Sequence, residues 1–402
     1  MIRIFQEVKP RELKLLMQQV GVNTYGIRIM APKAQGFLIK LDSLSNISAN
    51  ILKQEMLSLG ADAAVARGSL TGKVKKTDCL LMGSLAQLSR LSQKLKRQPF
   101  GLDLLGDDLS QAIKNYQKND FVLEVGGAKI YLGKRIHIMG ILNLTPDSFS
   151  GDGVYRTLRC RQVTSEIVDF AQQLVRDGAD IIDVGGQSSR PGARPVPLKE
   201  ELARTIPVIK LLVKKIKVPI SIDTSKPEVA KAALDNGAMI VNDITGLRNP
   251  LMAKAAARFN AAVVIMHMQG TPRTMQNNPR YDCVVDDIID YLSLAIKRAI
   301  DAGVDGNKII IDPGVGFGKT LGHNLNILKN LEQLKILGKP ILAGVSRKSF
   351  IGKILNVSPD QRVFGTVASC ILAVKNGAKI LRVHDVKAVK QAVKIFDAVN
   401  AD

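Results

Sequence analysis

Eight short apolar runs in the later two-thirds of the chain each stop at residues that can bind or ionise. In order, these ends supply Asn143, Asp183, Asp223, Asn242, His267, Asp312, Ser346 with Lys348, and Arg382 with His384. One polar residue after an apolar run is ordinary turn chemistry. A full ring of them after Ile/Val/Leu runs is hard to explain by packing, because buried polar groups need partners. The ring divides by chemistry. Asp223, Asn242 and Asp312 offer carboxylates and an amide, which can read the donor and acceptor edge of a heterocycle. Lys348, Arg382 and His384 offer cations. Period-two alternation puts Arg382 and His384 on one face of a strand, where both can meet one anion. The arginine fork suits phosphate, with two parallel charge-assisted bonds. Asp183 is the weakest member, since support of the Gly185-Gly186 turn also explains it. The bland alternative for His384 is a core histidine bonded to backbone.

The elements that must hold this ring read as a repeat. Strands are expected at 135–143, 180–185, 219–223, 239–243, 262–268, 308–312, 340–346 and 379–384. Helical patterns fill the intervals at 164–177, 198–215, 227–236, 251–259, 284–302, 324–337 and 361–376, with a last one at 386–399. Ser225-Lys226-Pro227 is a helix start, and Gly237, Gly303 and Gly377 sit just past helix ends. Eight strands alternating with helices suit a (β/α)₈ TIM barrel, which typically takes roughly 250 residues and places its active site at the strands' C-terminal ends. A doubly wound open sheet is the alternative. It usually has fewer strands and a Gly-rich first turn, which is absent here.

Residues 1–130 read as a small α/β domain ahead of a barrel at 131–402. Strands are expected at 1–8, 26–30, 36–41 and 79–82, and helices at 11–20, 47–59, 85–96 and 104–117. No catalytic constellation occurs there; Asp107-Asp108 reads as helix-start chemistry. The boundary is expected near 119–133, a short turn-rich segment holding Gly126-Gly127.

The net charge of +21 raises the question of nucleic acid. The basic residues are spread along the chain, however, and there is no Trp to stack on bases. A solvated basic surface that attracts a small anionic substrate fits better than a nucleic-acid footprint. No apolar run approaches the roughly 20 residues of a membrane helix, and the N-terminus does not read as a signal peptide. Four scattered cysteines with no CxxC imply free thiols in a reducing cytoplasm. The glycine-rich run Gly314-Val-Gly316-Phe-Gly318-Lys319-Thr320 is no Walker A loop, because Pro313 stands where its first glycine must be. Nor is it the dinucleotide fingerprint, since Lys319 replaces the third glycine. It reads as a tight turn carrying Phe317 over the pocket.

Several segments, in order, resemble dihydropteroate synthases. They include Met139-Gly-Ile-Leu-Asn-Leu-Thr-Pro-Asp-Ser-Phe149, Asp183-Val-Gly-Gly-Gln-Ser-Ser-Arg-Pro-Gly192, Ser221-Ile-Asp-Thr-Ser225 and Val241-Asn-Asp-Ile244. Met266-His-Met-Gln-Gly-Thr-Pro272, Ile311-Asp-Pro-Gly-Val-Gly-Phe317, Ser346-Arg-Lys-Ser349 and Leu381-Arg-Val-His-Asp385 complete the set. The resemblance covers about residues 135–402. It implies a barrel that joins a dihydropterin diphosphate to p-aminobenzoate, giving 7,8-dihydropteroate and pyrophosphate, with a homodimer as the working unit.

By the same resemblance, Asp223, Asn242, Asp312 and Lys348 would hold the pterin, with Met266 lining its pocket. Arg382 would pack beside the ring and, with His384, grip the diphosphate. Asn143 would help hold Mg²⁺, and Phe317, Ser349, Ser189 and Pro191 would frame the p-aminobenzoate site. Asp223 and Lys348 would carry the catalysis, together with a loop acid. The family usually has Thr where Ser189 stands, and Ser-Asp-Gly-Gly where Ser150-Gly-Asp-Gly moves the acid to Asp152. The nearest rivals are a methyltetrahydrofolate-dependent methyltransferase and a non-catalytic pterin-binding protein. The first region resembles an N-terminal extension found on some bacterial members.

Overall fold

A computed structural model describes residues 2–5, 8, 10–144, 160–188 and 193–400, with the side chains of 160–164 outside the description. Eight parallel strands close into a barrel: His137–Asn143, Ile181–Gly185, Ile220–Asp223, Ile240–Asp243, Ala262–Met266, Ile309–Asp312, Ile341–Ala343 and Ala378–Val383. The last strand pairs with the first, Ile380 opposite His137 and Arg382 opposite Met139, so the ring has no open edge. This is the TIM barrel expected from the repeat, and the doubly wound alternative falls with the closure.

Alternation explains both layers of its core. Ile138, Ile182, Ile222, Val263, Ile311 and Val383 face outward and pack under the helices. Met139, Ile181, Ile240, Val264, Ile310, Leu342 and Ile380 face inward and fill the lumen. The helices follow the sequence closely, for example Leu198–Lys215 and Val284–Asp301. One expected helix at 324–337 divides into Leu321–Lys329 and a tighter 3₁₀ segment, Leu331–Leu337, ended by Gly338 at φ 65. Ser349–Leu355 is an additional short helix that the sequence reading left out.

The structure divides the chain into Met1–Lys114 and Asn115–Asp402, inside the helix Leu102–Gln117. The boundary expected at 130/131 cuts instead through a hairpin, Phe121–Val125 with Ala128–Leu132. Its two-residue turn is Gly126-Gly127 at φ 55 and 79, the left-handed pair that a tight hairpin needs. Leu123, Val125 and Leu132 are buried in one cluster with the inward residues of the barrel strands. The hairpin therefore closes the barrel's N-terminal end and belongs with it.

The first unit, taken by itself, is a three-stranded antiparallel sheet in which Lys76–Ser84 lies between Gly36–Ser45 and Asp62–Val65. Helices Asn46–Ser58 and Leu85–Leu95 supply Leu52, Met56, Leu88 and Leu91 to its core, against Leu81. Two expected strands are absent. Residues 2–5 and 8 are not in a strand. The 26–30 segment is instead part of the helix Thr24–Ala34, which Asn23 caps by accepting from the Gly26 N–H at 2.7 Å, with Ile27 and Ala31 buried at i, i+4. Asp107-Asp108 lies inside Leu102–Gln117 rather than at its start, and Asp107 pairs with Lys96 at 2.9 Å. Among the described residues, no helix is long and apolar enough to cross a membrane.

Candidate active site

Most barrel strands turn polar on their inward face near the C-terminal end, with Met266 and Gly344 the exceptions. Two residues beyond Ile181, Ser221, Ile240, Val264, Ile310, Leu342 and Ile380 come Asp183, Asp223, Asn242, Met266, Asp312, Gly344 and Arg382. Because side chains alternate, each of these points into the same lumen as the residue two before it. Gly185 marks where two members crowd together: a Cβ there would lie 3.4 Å from Asn143 Oδ1 and 3.7 Å from the Asp223 Cβ.

At the centre is Arg382. Its Nε donates to Asp183 Oδ2 at 2.6 Å and its Nη2 to Asp223 Oδ2 at 2.5 Å. Asn242 Nδ2 donates to the same Asp183 oxygen at 3.0 Å. Asp183, which the sequence reading ranked last, is thus the hub of the ring. The same parity argument that selects Asp223 would have found it. Burial pushes the Asp223 carboxyl up to about 7, against the pull of Arg382 and with Asp183, Glu201 and Asp243 adding to the rise. Arg382 is held firmly in its charged form by Asp183 and Asp223 despite its burial.

Across the lumen, Asp312 Oδ1 accepts the Gly314 N–H at 2.7 Å, and burial raises its pKa although Lys348, Arg382 and Lys319 all oppose that. Lys348 Nζ lies 3.9 Å from the centre of the Phe317 ring, a cation–π contact. Phe317 in turn shares a buried cluster with Ile244, Met266, Met268 and Met275. The glycine-rich turn is built as expected, with Gly314, Gly316 and Gly318 all at positive φ. A Cβ on Gly314 would sit 1.9 Å from the His267 carbonyl oxygen, so only glycine fits there.

His267 leaves the ring. Its strand ends at Met266, which points inward, so His267 points away and its Nδ1 meets Lys319 Nζ at 2.9 Å. Lys319 also donates to the Phe317 carbonyl at 3.0 Å, and burial brings its pKa down to about 7. The sequence reading had given this lysine no task. Here it ties the fifth strand's end to the turn that carries Phe317.

The expectation that His384 is a cation fails. Burial, followed by Arg382 and Arg347 nearby, lowers its pKa to about 3. Ser346 Oγ accepts from the His384 backbone N–H at 3.2 Å and lies 3.1 Å from its Nδ1. Oγ has one proton and a second lone pair to share with Nδ1, so the direction of that bond follows the imidazole tautomer. Next to it Arg347 sits at φ 54, a strained position for a non-glycine residue. It is fixed there by Asp385 (Nε–Oδ2 2.9 Å, Nη2–Oδ1 2.5 Å) and by its N–H on Thr366 Oγ1. This strain aims Lys348 and Ser349, the latter opening the helix Ser349–Leu355.

A second buried network lies behind Asp223. Glu201, almost fully buried, accepts from Thr224 Oγ1 at 2.6 Å and from Lys226, whose Nζ also reaches Gln187 Oε1 at 2.8 Å. Nothing in the sequence pattern had marked these residues. Asp152, Ser189 and Pro191 lie outside the described residues.

Among the described residues there is no cluster of His, Cys, Asp and Glu that could cage a metal. Asn143 nevertheless suits a hard cation. It offers one neutral oxygen at the first strand's C-terminal end, and it is half-buried. Mg²⁺ commonly takes one or two protein oxygens and fills its octahedron with water and phosphate.

Residues 139–384 match the sequence profile of the family described as pterin binding enzyme. A dihydropteroate synthase of Synechocystis is 47% identical over 279 residues, covering 69% of this chain and 94% of that protein. The chain belongs to the dihydropteroate synthases of the pterin-binding enzyme family. These are transferases of folate biosynthesis. The solved Xanthomonas albilineans dihydropteroate synthase with 4-aminobenzoic acid superposes with a TM-score of 0.65 at 43% identity, covering 70% of this chain and 99% of that one. The same organism's enzyme in complex with 7,8-dihydropteroate gives 0.62 at 41%. A probable bifunctional folylpolyglutamate synthase/dihydropteroate synthase of Halobacterium salinarum is 39% identical over 353 residues, 87% of this chain and 41% of that protein. That match is longer than Asn115–Asp402 alone, so it takes in part of the first unit as well.

Proposed function

We propose that the barrel joins 6-hydroxymethyl-7,8-dihydropterin diphosphate to p-aminobenzoate at the C-terminal end of its strands. The convergence of Asp223, Asn242, Asp312 and Lys348 on one lumen lined by Met266 carries the reading. Asp312 and Asn242 offer acceptors to the donor edge of the pterin, and Lys348 offers a donor to its acceptor edge. Arg382 lies beside the ring, and with His384 it addresses the diphosphate. Phe317 and Ser349 frame the arylamine, a role that the family resemblance extends to Ser189 and Pro191.

The reaction breaks the bond between the pterin methylene carbon and the diphosphate oxygen, and the bonding pair leaves with pyrophosphate. Asp223 in its ionised form stabilises the cation that develops on the methylene. The amine nitrogen then forms the new C–N bond and gives up one proton to pyrophosphate or water, and no covalent enzyme intermediate is needed. Asn143 would hold Mg²⁺, whose chemistry is to offset the charge of the leaving diphosphate. The resemblance makes Asp152 the candidate loop acid. The strong positive charge of the chain favours arrival of an anionic substrate.

The Ser346–Ser349 segment and the pair Arg382 and His384 would have no task in a methyltransferase. A coupled pyrophosphate assay with the pterin diphosphate, with and without p-aminobenzoate, tests the proposal. Release that depends on both substrates is expected. Affinity for pterin with no pyrophosphate release would instead mean a binding protein.

The working unit is a homodimer in this reading. Helices Ser349–Leu355 and Val363–Lys375 pack on each other and leave Ile354, Leu355, Leu372 and Phe364 in solvent, the last 84% exposed. Exposed apolar area of this kind marks an interface. Sedimentation should show a dimer that Phe364→Asp splits, and a wild-type monomer would refute it. Met1–Lys114 is taken as accessory to catalysis.

A further inference from the structure

We propose that Asp183 is a positioning residue of the pterin pocket, one that presets which edge Asn242 and Arg382 show the ligand without touching the ligand itself. The inference rests on the pocket reading above and deepens it.

Asp183 is fully buried, and one of its oxygens does all of its bonding. Oδ2 accepts from Arg382 Nε and from Asn242 Nδ2, whereas Oδ1 has no hydrogen-bond partner among the described residues. Every bond of this carboxylate therefore ends on a residue of the site. Ser221, its register partner on the neighbouring strand, is likewise buried, and among the described residues its Oγ has no partner.

Two consequences follow from donor and acceptor arithmetic. An amide that donates one N–H to Asp183 has its NH₂ turned to that side and its carbonyl oxygen to the opposite side, so Asn242 offers its acceptor to the lumen. Without Asp183 the amide can flip, and half of its orientations would set NH₂ against the donor edge of a pterin. The guanidinium is constrained in the same way. Its Nε is tied to Asp183 and its Nη2 to Asp223, which fixes the plane of the fork. A long, rotamer-rich side chain is then ordered before the ligand arrives, and the ligand does not bear that entropy cost.

Asp183→Asn tests this, because it keeps the shape and removes the charge. By calorimetry with 6-hydroxymethylpterin, its affinity should drop about 10- to 100-fold, the scale of one misdirected buried hydrogen bond. The KM for p-aminobenzoate should stay near the wild-type value. The same substitution in Asn242→Ala and in Arg382→Ala backgrounds should cost less than in wild type, since the group it acts through is already gone. Equal losses in all three backgrounds would overturn the proposal, as would a variant whose melting temperature falls while pterin affinity and both KM values are unchanged. Should Asp183→Asn fail to fold, Asp183→Ser, which leaves room for water beside Arg382, carries the same comparison. If the wild type does not bind the pterin, the pocket reading falls and takes this inference with it. If the wild type binds and Asn242→Ala weakens binding but Asp183→Asn does not, this inference alone falls.

Discussion

The two ends of the barrel use the same strands and the same inward face, yet their chemistry is opposite. At the lower end Ile181, Ile240, Val264, Ile310, Leu342 and Ile380 meet Leu123, Val125 and Leu132 of the hairpin in a dry cluster. Two residues further along each strand, Asp183, Asn242, Met266, Asp312, Gly344 and Arg382 make the candidate site. One period of the pleat separates a core from a pocket. The lower layer gives stability and rigidity, and the upper layer spends some of both on buried charge. Asp223 and Asp312 both have raised pKa values from burial, which means that their charged forms are held at a cost.

The largest effect should come from the upper layer. Lys348→Ala removes a cation that faces both Asp312 and Phe317, and turnover should fall about a thousandfold or more with little change in melting temperature. Wild-type turnover in a folded Lys348→Ala protein would break the pocket assignment. Next comes Arg382→Ala, which should weaken the pterin diphosphate more than the unphosphorylated pterin alcohol, by about 10- to 100-fold in titration. It should also move the acid limb of kcat/KM. If turnover needs ionised Asp223, activity falls as pH drops through about 7. Removing the guanidinium takes away a cation that favours the carboxylate, so the limb must move to higher pH. A limb that stays put would mean another group sets it.

The lower layer should answer in the other currency. Leu123→Ala, at a fully buried hairpin position, should destabilise the protein by about 2–5 kcal/mol and leave both KM values alone. Denaturant titration with parallel kinetics checks this, and a raised KM would show that the two ends are coupled. The smallest effect is expected from removing the first unit. A chain starting at Asn115 keeps the hairpin and the bond from Asn115 Nδ2 to the Ile336 carbonyl. It should fold and turn over at a comparable rate. A soluble, substrate-binding truncation without turnover would place catalytic groups in Met1–Lys114.

Legibility differed in the same regional way. The barrel was readable because each βα unit repeats one local pattern, so eight imperfect readings reinforce one another. The first unit has no repeat to correct an error. At 26–30 the alternation of Ile27 and Ile29 was outweighed by the Asn23 cap and by a helix face of Ile27 and Ala31. The hairpin was missed as an element because Gly126-Gly127 reads equally as a linker or as a tight turn. What decides between them is the barrel floor that Leu123 and Leu132 cover.

The sequence alone determined where the barrel strands lie, the shared parity of the polar residues at their ends, and the glycine turn beneath Phe317, since all of these follow from periodicity and from local φ limits. The tertiary structure decided which charges meet. Arg382 and Asp183 are 199 positions apart. They are joined because the last strand closes against the first, and the second strand lies on that one's other side. Barrel closure also made His384 neutral, turned His267 away from the lumen and buried Lys319. Ionisation and orientation depend on solvent and neighbours in three dimensions, and neither is encoded in the spacing of residues along a strand.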